Sequence, residues 1–139
     1  MSLIFEDIFK LFLITLIAIL IGYNREKRNK PAGIKTNVIV GVISCLIMII
    51  SIKISNSEIG ITNGADPARL GAQVITGIGF LGAGTILKHE DKIEGLTTAA
   101  CLWGVSGLGL AIGYGLYVLS IITVIIIYLA LYIRWKNYI

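Results

Sequence analysis

LGAQVITGIGFLGAGTIL, the stretch from Leu70 to Leu87, contains no charged side chain and ends against Lys88. A helix that crosses the hydrocarbon core of a bilayer needs about 20 mostly apolar residues, and this run approaches that length. Asp66-Pro67-Ala68-Arg69 precedes it. Asp is a good N-cap and Pro fits the first helical position, so the spacing predicts a helix over 68–87. Working outward, further apolar runs predict spans at about 4–23, 36–53, 96–113 and 115–134. The sequence reads as an all-α membrane protein: one transmembrane domain over 1–139, built as a bundle of five transmembrane helices. Composition agrees. Of the 139 residues, 56% are hydrophobic and 14% charged, against about 25% charged in a typical soluble domain.

The charges between the runs set an orientation. Arg25, Lys27, Arg28, Lys30 and Lys35 share the first loop, Lys88 and Lys92 the third, and Arg134 and Lys136 the C-terminus; Lys10, Lys53 and Arg69 fall on the other side. The positive-inside rule then puts the N-terminus outside and the C-terminus in the cytoplasm of a bacterial cytoplasmic (inner) membrane, multi-pass. Tyr132, Trp135 and Tyr138 at the inner end of the last run fit an aromatic belt. The basic loop is a topology signal and not a nucleic-acid patch. Glu6 and Asp7 stand where a secretory leader has basic residues, so the first run reads as a permanent span. Cys45 and Cys101 lie inside apolar runs and read as small buried hydrophobes.

The runs differ in kind. The third carries Gly71, Gly77, Gly79, Gly82 and Gly84, with Ala72, Thr76, Gly79 and Ala83 as one small-residue stripe and Gly77 and Gly84 on another face. The fourth has Ala100, Gly104, Gly107 and Ala111 at the same spacings. Small stripes let helix backbones approach where lipid removes the hydrophobic drive. The third helix is therefore expected at the centre, with Gly77, Gly79, Gly82, Gly84 and Gly104 as packing positions. The fifth, rich in Ile, Leu and Val, is expected against lipid. Gly113-Tyr114-Gly115 leaves room for a tight turn, so the last two helices form an antiparallel hairpin.

Polar constellations are few. Asp66, Arg69 and Gln73 follow one another down one helix face and form a polar track, expected to face the first or fourth helix. A cation in the first helical turn opposes the helix dipole, so Arg69 calls for a partner among Asp66, Glu6 and Asp7. These three acids are a candidate cation site or, with Arg69, an ion-pair latch; oxygen ligands suit Mg²⁺. Glu6 and Lys10 have the spacing of a helical ion pair. At the inner end of the first helix, Arg25 and Glu26 form either a plain charged interface or a pair that docks the third loop. A threonine of Gly95-Leu96-Thr97-Thr98 is placed to cap the fourth helix. His89 is the only histidine and reads as a solvated side chain. One histidine and two buried cysteines assemble no nucleophile, base and orienter, so the chain does not read as an enzyme.

DPARLGAQVITGIGFLGAGTIL (Asp66 to Leu87), GLTTAACLW (Gly95 to Trp103), Arg25-Glu26 and AGIKT (Ala32 to Thr36) together resemble the signature of the MgtC/SapB family, over nearly the whole chain. The resemblance implies five spans with the orientation derived above, and marks Arg25, Glu26, Asp66, Arg69, Gln73 and the Gly77–Gly84 block as motif positions. It departs at Asn24, where many members have Glu, and at Lys35, where Arg is common. Many members also carry a soluble C-terminal domain, so this chain resembles a short form. The family is associated with growth in low magnesium and with virulence. The resemblance implies a small membrane regulator that binds other membrane proteins, with a Mg²⁺ transporter or transporter subunit as the alternative. Expected partners are the lipid bilayer, other membrane proteins and a second copy of the chain. No cofactor is expected, Mg²⁺ being the one candidate ion.

Overall fold

The computed structural model describes residues 2–89 and 92–132. Its elements are α1 (Ser2–Lys27), α2 (Ile34–Ser55), α3 (Glu58–Thr62), α4 (Ala68–Ala83), β1 (Leu87–His89), β2 (Lys92–Glu94), α5 (Leu96–Tyr114) and α6 (Tyr117–Tyr132). The helices form because long apolar runs are punctuated by residues that stop them. Asn29 adopts a left-handed φ of 51°, while Lys30 N–H bonds Arg25 C=O at 3.0 Å and Asn29 N–H bonds Glu26 C=O at 2.9 Å. This is the Schellman pattern, which satisfies the orphan carbonyls at the end of α1. Gly115, with φ 103°, ends α5 in the same way. That turn joins α5 to α6 where the sequence placed it.

The centre of the molecule is the contact between α2 and α5. A Cβ added at Gly109 would lie 2.5 Å from the Gly41 carbonyl oxygen, and one at Gly113 would lie 2.7 Å from that of Cys45. Both distances are below ordinary contact, so the two backbones touch and only glycine fits. Around this seam Ile14, Ile17, Ala18, Ile21, Cys45, Ile49, Val105, Leu108 and Ile112 form one buried cluster from α1, α2 and α5. α4 rests on α5 and α2 through Gly71, Ile78 and Gly82. α6 buries only Ser120 and lies at the edge.

The apolar surface is turned outward. Phe80, Val118, Ile126, Leu129 and Phe12 are all at least 57% exposed. A continuous apolar exterior of this kind marks a surface made for lipid or for partner proteins. α2 and α5 are each long and apolar enough to cross a bilayer, and α6 is apolar but shorter.

Two expectations are corrected. The third apolar run is helical only to Ala83. Gly84 closes the helix, with its N–H on the Phe80 carbonyl, and the chain enters an antiparallel hairpin in which Leu87 pairs with Glu94 and His89 with Lys92. The third loop is thus not irregular: its backbone bonds are met by the hairpin. Next, α4 is not central, because its Ala72–Thr76–Gly79–Ala83 stripe faces outward. Nothing lies within 4 Å of a Cβ built at Gly77 or at Gly79, and Gly84 meets only its own helix. Of the expected packing positions, Gly82 lies against Ala99 and Gly104 against Ile127. The connection between α2 and α4 holds the short helix α3, capped by the Ser57 side chain. The expected belt residues Trp135 and Tyr138, the basic residues Arg134 and Lys136, and the His89 side chain lie outside the described residues.

The seam carries a direct test. Gly109→Ala is expected to destabilise the protein by about 1–3 kcal/mol, the usual range for overpacking. Gly79→Leu is expected to leave the isolated protein's melting temperature in detergent unchanged or higher. Equal losses in the two variants would remove the α2–α5 seam from the centre.

Candidate functional site

Helix ends gather polar groups into two clusters, one at each end of the bundle. The first is built on Arg25. It lies in the last turn of α1, is only 5% exposed, and donates from a terminal nitrogen to the Thr98 hydroxyl at 2.5 Å. Its Nε is buried with no hydrogen-bond partner. Among the described residues no carboxylate pairs with it; the two ion pairs found there, Glu6 with Lys10 and Asp7 with Lys53, are elsewhere. Glu26, its sequence neighbour, points away: its Oε1 accepts from the Ile34 N–H at 2.9 Å and caps α2. Consecutive side chains on a helix are about 100° apart, so the two motif residues serve different helices. A cleft of about 420 Å³ opens beside Arg25, walled by Asn29, Lys30, Thr85, Glu94, Thr97 and Thr98 among others.

The turn that frames this cleft is held by a residue the sequence reading passed over. Asn37 is fully buried and donates its amide to the carbonyls of Ala32 and Gly33 at 2.6 and 2.8 Å. It thereby holds Ala32 in a left-handed conformation, φ 56°. On the other wall Gly95, φ 89°, starts α5. A Cβ there would collide with the Thr85 carbonyl, so glycine lets the hairpin close onto the helix. Thr98 does not cap α5 as expected, and its hydroxyl serves Arg25 instead.

The second cluster is at the opposite end. Glu6 pairs with Lys10 at 2.9 Å, and Asp7 with Lys53 at 2.5 Å. The Tyr117 hydroxyl donates to Glu6 at 3.3 Å. Glu6, Asp7, Lys10 and Lys53 share a cleft of about 410 Å³ between α1 and α2. Asp66 does not join them. Its Oδ1 accepts from the Ala68 N–H at 2.8 Å, a capping role. Among the described residues no three of His, Cys, Asp and Glu come together as metal ligands. The proposed grouping of Asp66 with Glu6 and Asp7 is therefore corrected. The physical reason is that α4 begins on the far side of α2, where the Ser51 hydroxyl holds the Pro67 carbonyl. Glu6 is partnered by Lys10 and Asp7 by Lys53, and neither by Arg69. Arg69 and Gln73 are exposed, and Gln73 borders a shallow apolar cleft with Ile47, Ile50, Leu70 and Val74. The expected polar track therefore runs along an open face and not into the bundle.

The comparisons fit this picture. The model of the MgtC family matches residues 11–137. The chain is 47% identical over 114 residues to Protein SapB of Bacillus subtilis (strain 168), covering 81% of this chain and 49% of that protein. It is 43% identical over 117 residues to YhiD of Escherichia coli (strain K12), whose name proposes magnesium transport, covering 84% and 54%. It is 35% identical over 125 residues to Protein MgtC of Salmonella typhimurium (strain LT2), covering 90% and 51%. The chain thus spans about half the length of these relatives. No solved structure matches it.

The roles given to Arg25 and Glu26 are separable. Glu26→Ala is expected to lower stability by about 1 kcal/mol through loss of the hydrogen bond to the start of α2, and Glu26→Gln to retain most of it. Thermal melting in detergent measures both. Equal losses for Ala and Gln would show that charge, and not the cap, is what Glu26 supplies.

Proposed function

This chain belongs to the MgtC family, and from that premise we propose that it is a five-span protein of the bacterial cytoplasmic membrane that regulates other membrane proteins during growth in low magnesium. The spans are α1, α2, α4, α5 and α6, with the N-terminus outside and the C-terminus in the cytoplasm. The role is non-catalytic. The observation that carries the regulatory reading is the open small-residue face of α4. Ala72, Thr76, Gly79 and Ala83 line a helix that touches α2 and α5 on its other side. A face this flat lets another membrane helix come close, and lipid chains alone have no need of it. The motif block named by the family resemblance is thereby turned toward a neighbour, either another membrane protein or a second copy of the chain.

The alternative is Mg²⁺ transport, which the name of YhiD suggests. The acids available for it, Glu6 and Asp7, are each already bound to a lysine. A cation entering that cleft would have to displace an ammonium, and this favours the latch over the ion path. Charged groups along a membrane path are otherwise the usual mark of ion movement.

Two measurements test the reading. Gly79→Leu is expected to melt like the parent yet fail to support growth in low magnesium. The purified parent in liposomes is expected to move no Mg²⁺; flux above protein-free liposomes would overturn regulation in favour of transport. For topology, a cysteine at Asn63 is expected to react with an impermeant thiol reagent in intact cells and one at Asn29 to be shielded. Labelling at Asn29 from outside would reverse the orientation.

A further inference from the structure

Among the described residues, the cluster around Arg25 has a charge without a counter-charge. A buried guanidinium costs free energy unless it is paired and its N–H groups are bonded. Here one nitrogen has only a neutral hydroxyl, and Nε has nothing. The sequence neighbour that could have neutralised it is committed to α2. The surroundings are electropositive as well. α5, a helix of 19 residues, begins at Leu96 without a side-chain cap. Its first turn leaves backbone N–H groups unpaired at the positive end of the helix dipole. Thr97 and Thr98 present hydroxyls, and Lys30 stands at the mouth. Among the described residues Glu94 is the one carboxylate on the wall, and it is exposed.

We propose that this cleft is a binding site for a phosphate group, held by Arg25, Lys30 and the amino-terminal turn of α5. Two independent features converge on an anion: a helix N-terminus, which is a ready anion site, and a nine-tenths-buried arginine with an unbonded N–H. Phosphate fits the donor set better than a carboxylate does. Guanidinium, ammonium, hydroxyl and backbone N–H groups approach from several directions, and a tetrahedral anion with several acceptor oxygens can meet them together. The cleft is larger than one phosphate needs, so it has room for the ester to which the phosphate is attached. Two sources supply that chemistry, a phospholipid headgroup and free phosphate. Neither this site nor its test depends on whether the protein regulates or transports.

The experiment is thermal melting of the full chain in a neutral detergent at fixed ionic strength, with chloride as the balancing anion. In one arm inorganic phosphate is added; in the other the micelles are doped with phosphatidylglycerol. A rise in melting temperature in the first arm identifies a site for free phosphate; a rise confined to the second identifies a headgroup site. In either case Arg25→Gln is expected to weaken the apparent affinity about tenfold or more, the loss of one strong charge-assisted bond. Should Arg25→Gln fail to fold, Lys30→Gln, an exposed position, is expected to fold and to weaken binding severalfold. Arg28→Gln, exposed and not on the wall of the cleft, is expected to bind like the parent. No rise in either arm, or a rise that persists unchanged in both Arg25→Gln and Lys30→Gln, would overturn the proposal.

Discussion

The fold depends on two backbones touching. At Gly109 and Gly113 the Gly41 and Cys45 carbonyls of α2 lie where side chains of α5 would have to be. In lipid, apolar side chains gain little by leaving one apolar surface for another, so close van der Waals contact and satisfied polar groups must hold helices together. The α2–α5 seam supplies the first. Once it is set, α1 fills the groove on one side with Ile14, Ile17, Ala18 and Ile21. α4 can only lie on the other side. α6 is left at the edge, tied mainly by the tight turn at Gly115.

The two ends of this bundle treat charge in opposite ways. At the Glu6 end every charged group in the cleft has a partner: Lys10 holds Glu6, Lys53 holds Asp7, and Tyr117 adds a hydrogen bond. Pairs as exposed as Asp7–Lys53 contribute little to stability, typically under about 1 kcal/mol. Their effect is to fix which helix ends meet. At the Arg25 end the charge is buried and, among the described residues, bonded only to a hydroxyl. Such a group persists in a fold only when something offsets its cost, so the two ends differ in kind: one pairs its charges internally, and the other leaves an arginine nitrogen without a partner among the described residues.

Much of this was legible in the sequence. The apolar runs, the turn at Gly113–Gly115 and the peripheral last helix follow from hydropathy and glycine placement, because those signals are local. The misreadings share one cause. Small residues report that something comes close, not what it is. The stripe on α4 points to an internal contact, whereas the internal seam uses Gly109 and Gly113 and α4 keeps its stripe open; on α5, Gly104 does meet Ile127. Likewise Glu6, Asp7 and Asp66 were placed at one depth from their distance to helix ends. Depth is readable along a sequence, but lateral position around the bundle is not, and α4 begins on the far side of α2. Arg25 and Glu26 looked like a pair because they are adjacent; helical geometry sends them to Thr98 and Ile34. Asn37 gave a faint signal, as a polar residue early in an apolar run, and its partners became visible only in the folded turn.

The open face of α4 and the cleft at Arg25 are linked by a short path. α4 ends at Ala83, and the chain returns to α5 through a turn, one hairpin and Gly95. Both legs of that connection line the cleft, Thr85 and Leu87 on one and Ile93 and Glu94 on the other. The connection is also constrained where it closes, since the Thr85 carbonyl abuts Gly95 and leaves no room for a side chain. The hairpin therefore cannot shift relative to α5 without disturbing the wall of the cleft, and it carries the C-terminal end of α4 with it. α4 itself is held by few buried residues, Gly71, Ile78 and Gly82, whereas α5 is locked to α2 by backbone contact. Of the two helices joined by the hairpin, α4 is the one free to respond. The Arg25 cleft thus adjoins the C-terminal end of a helix whose small-residue face, from Ala72 to Ala83, is open along its length. That placement gives the small protein a physical route from one end of the bundle to the open face of α4.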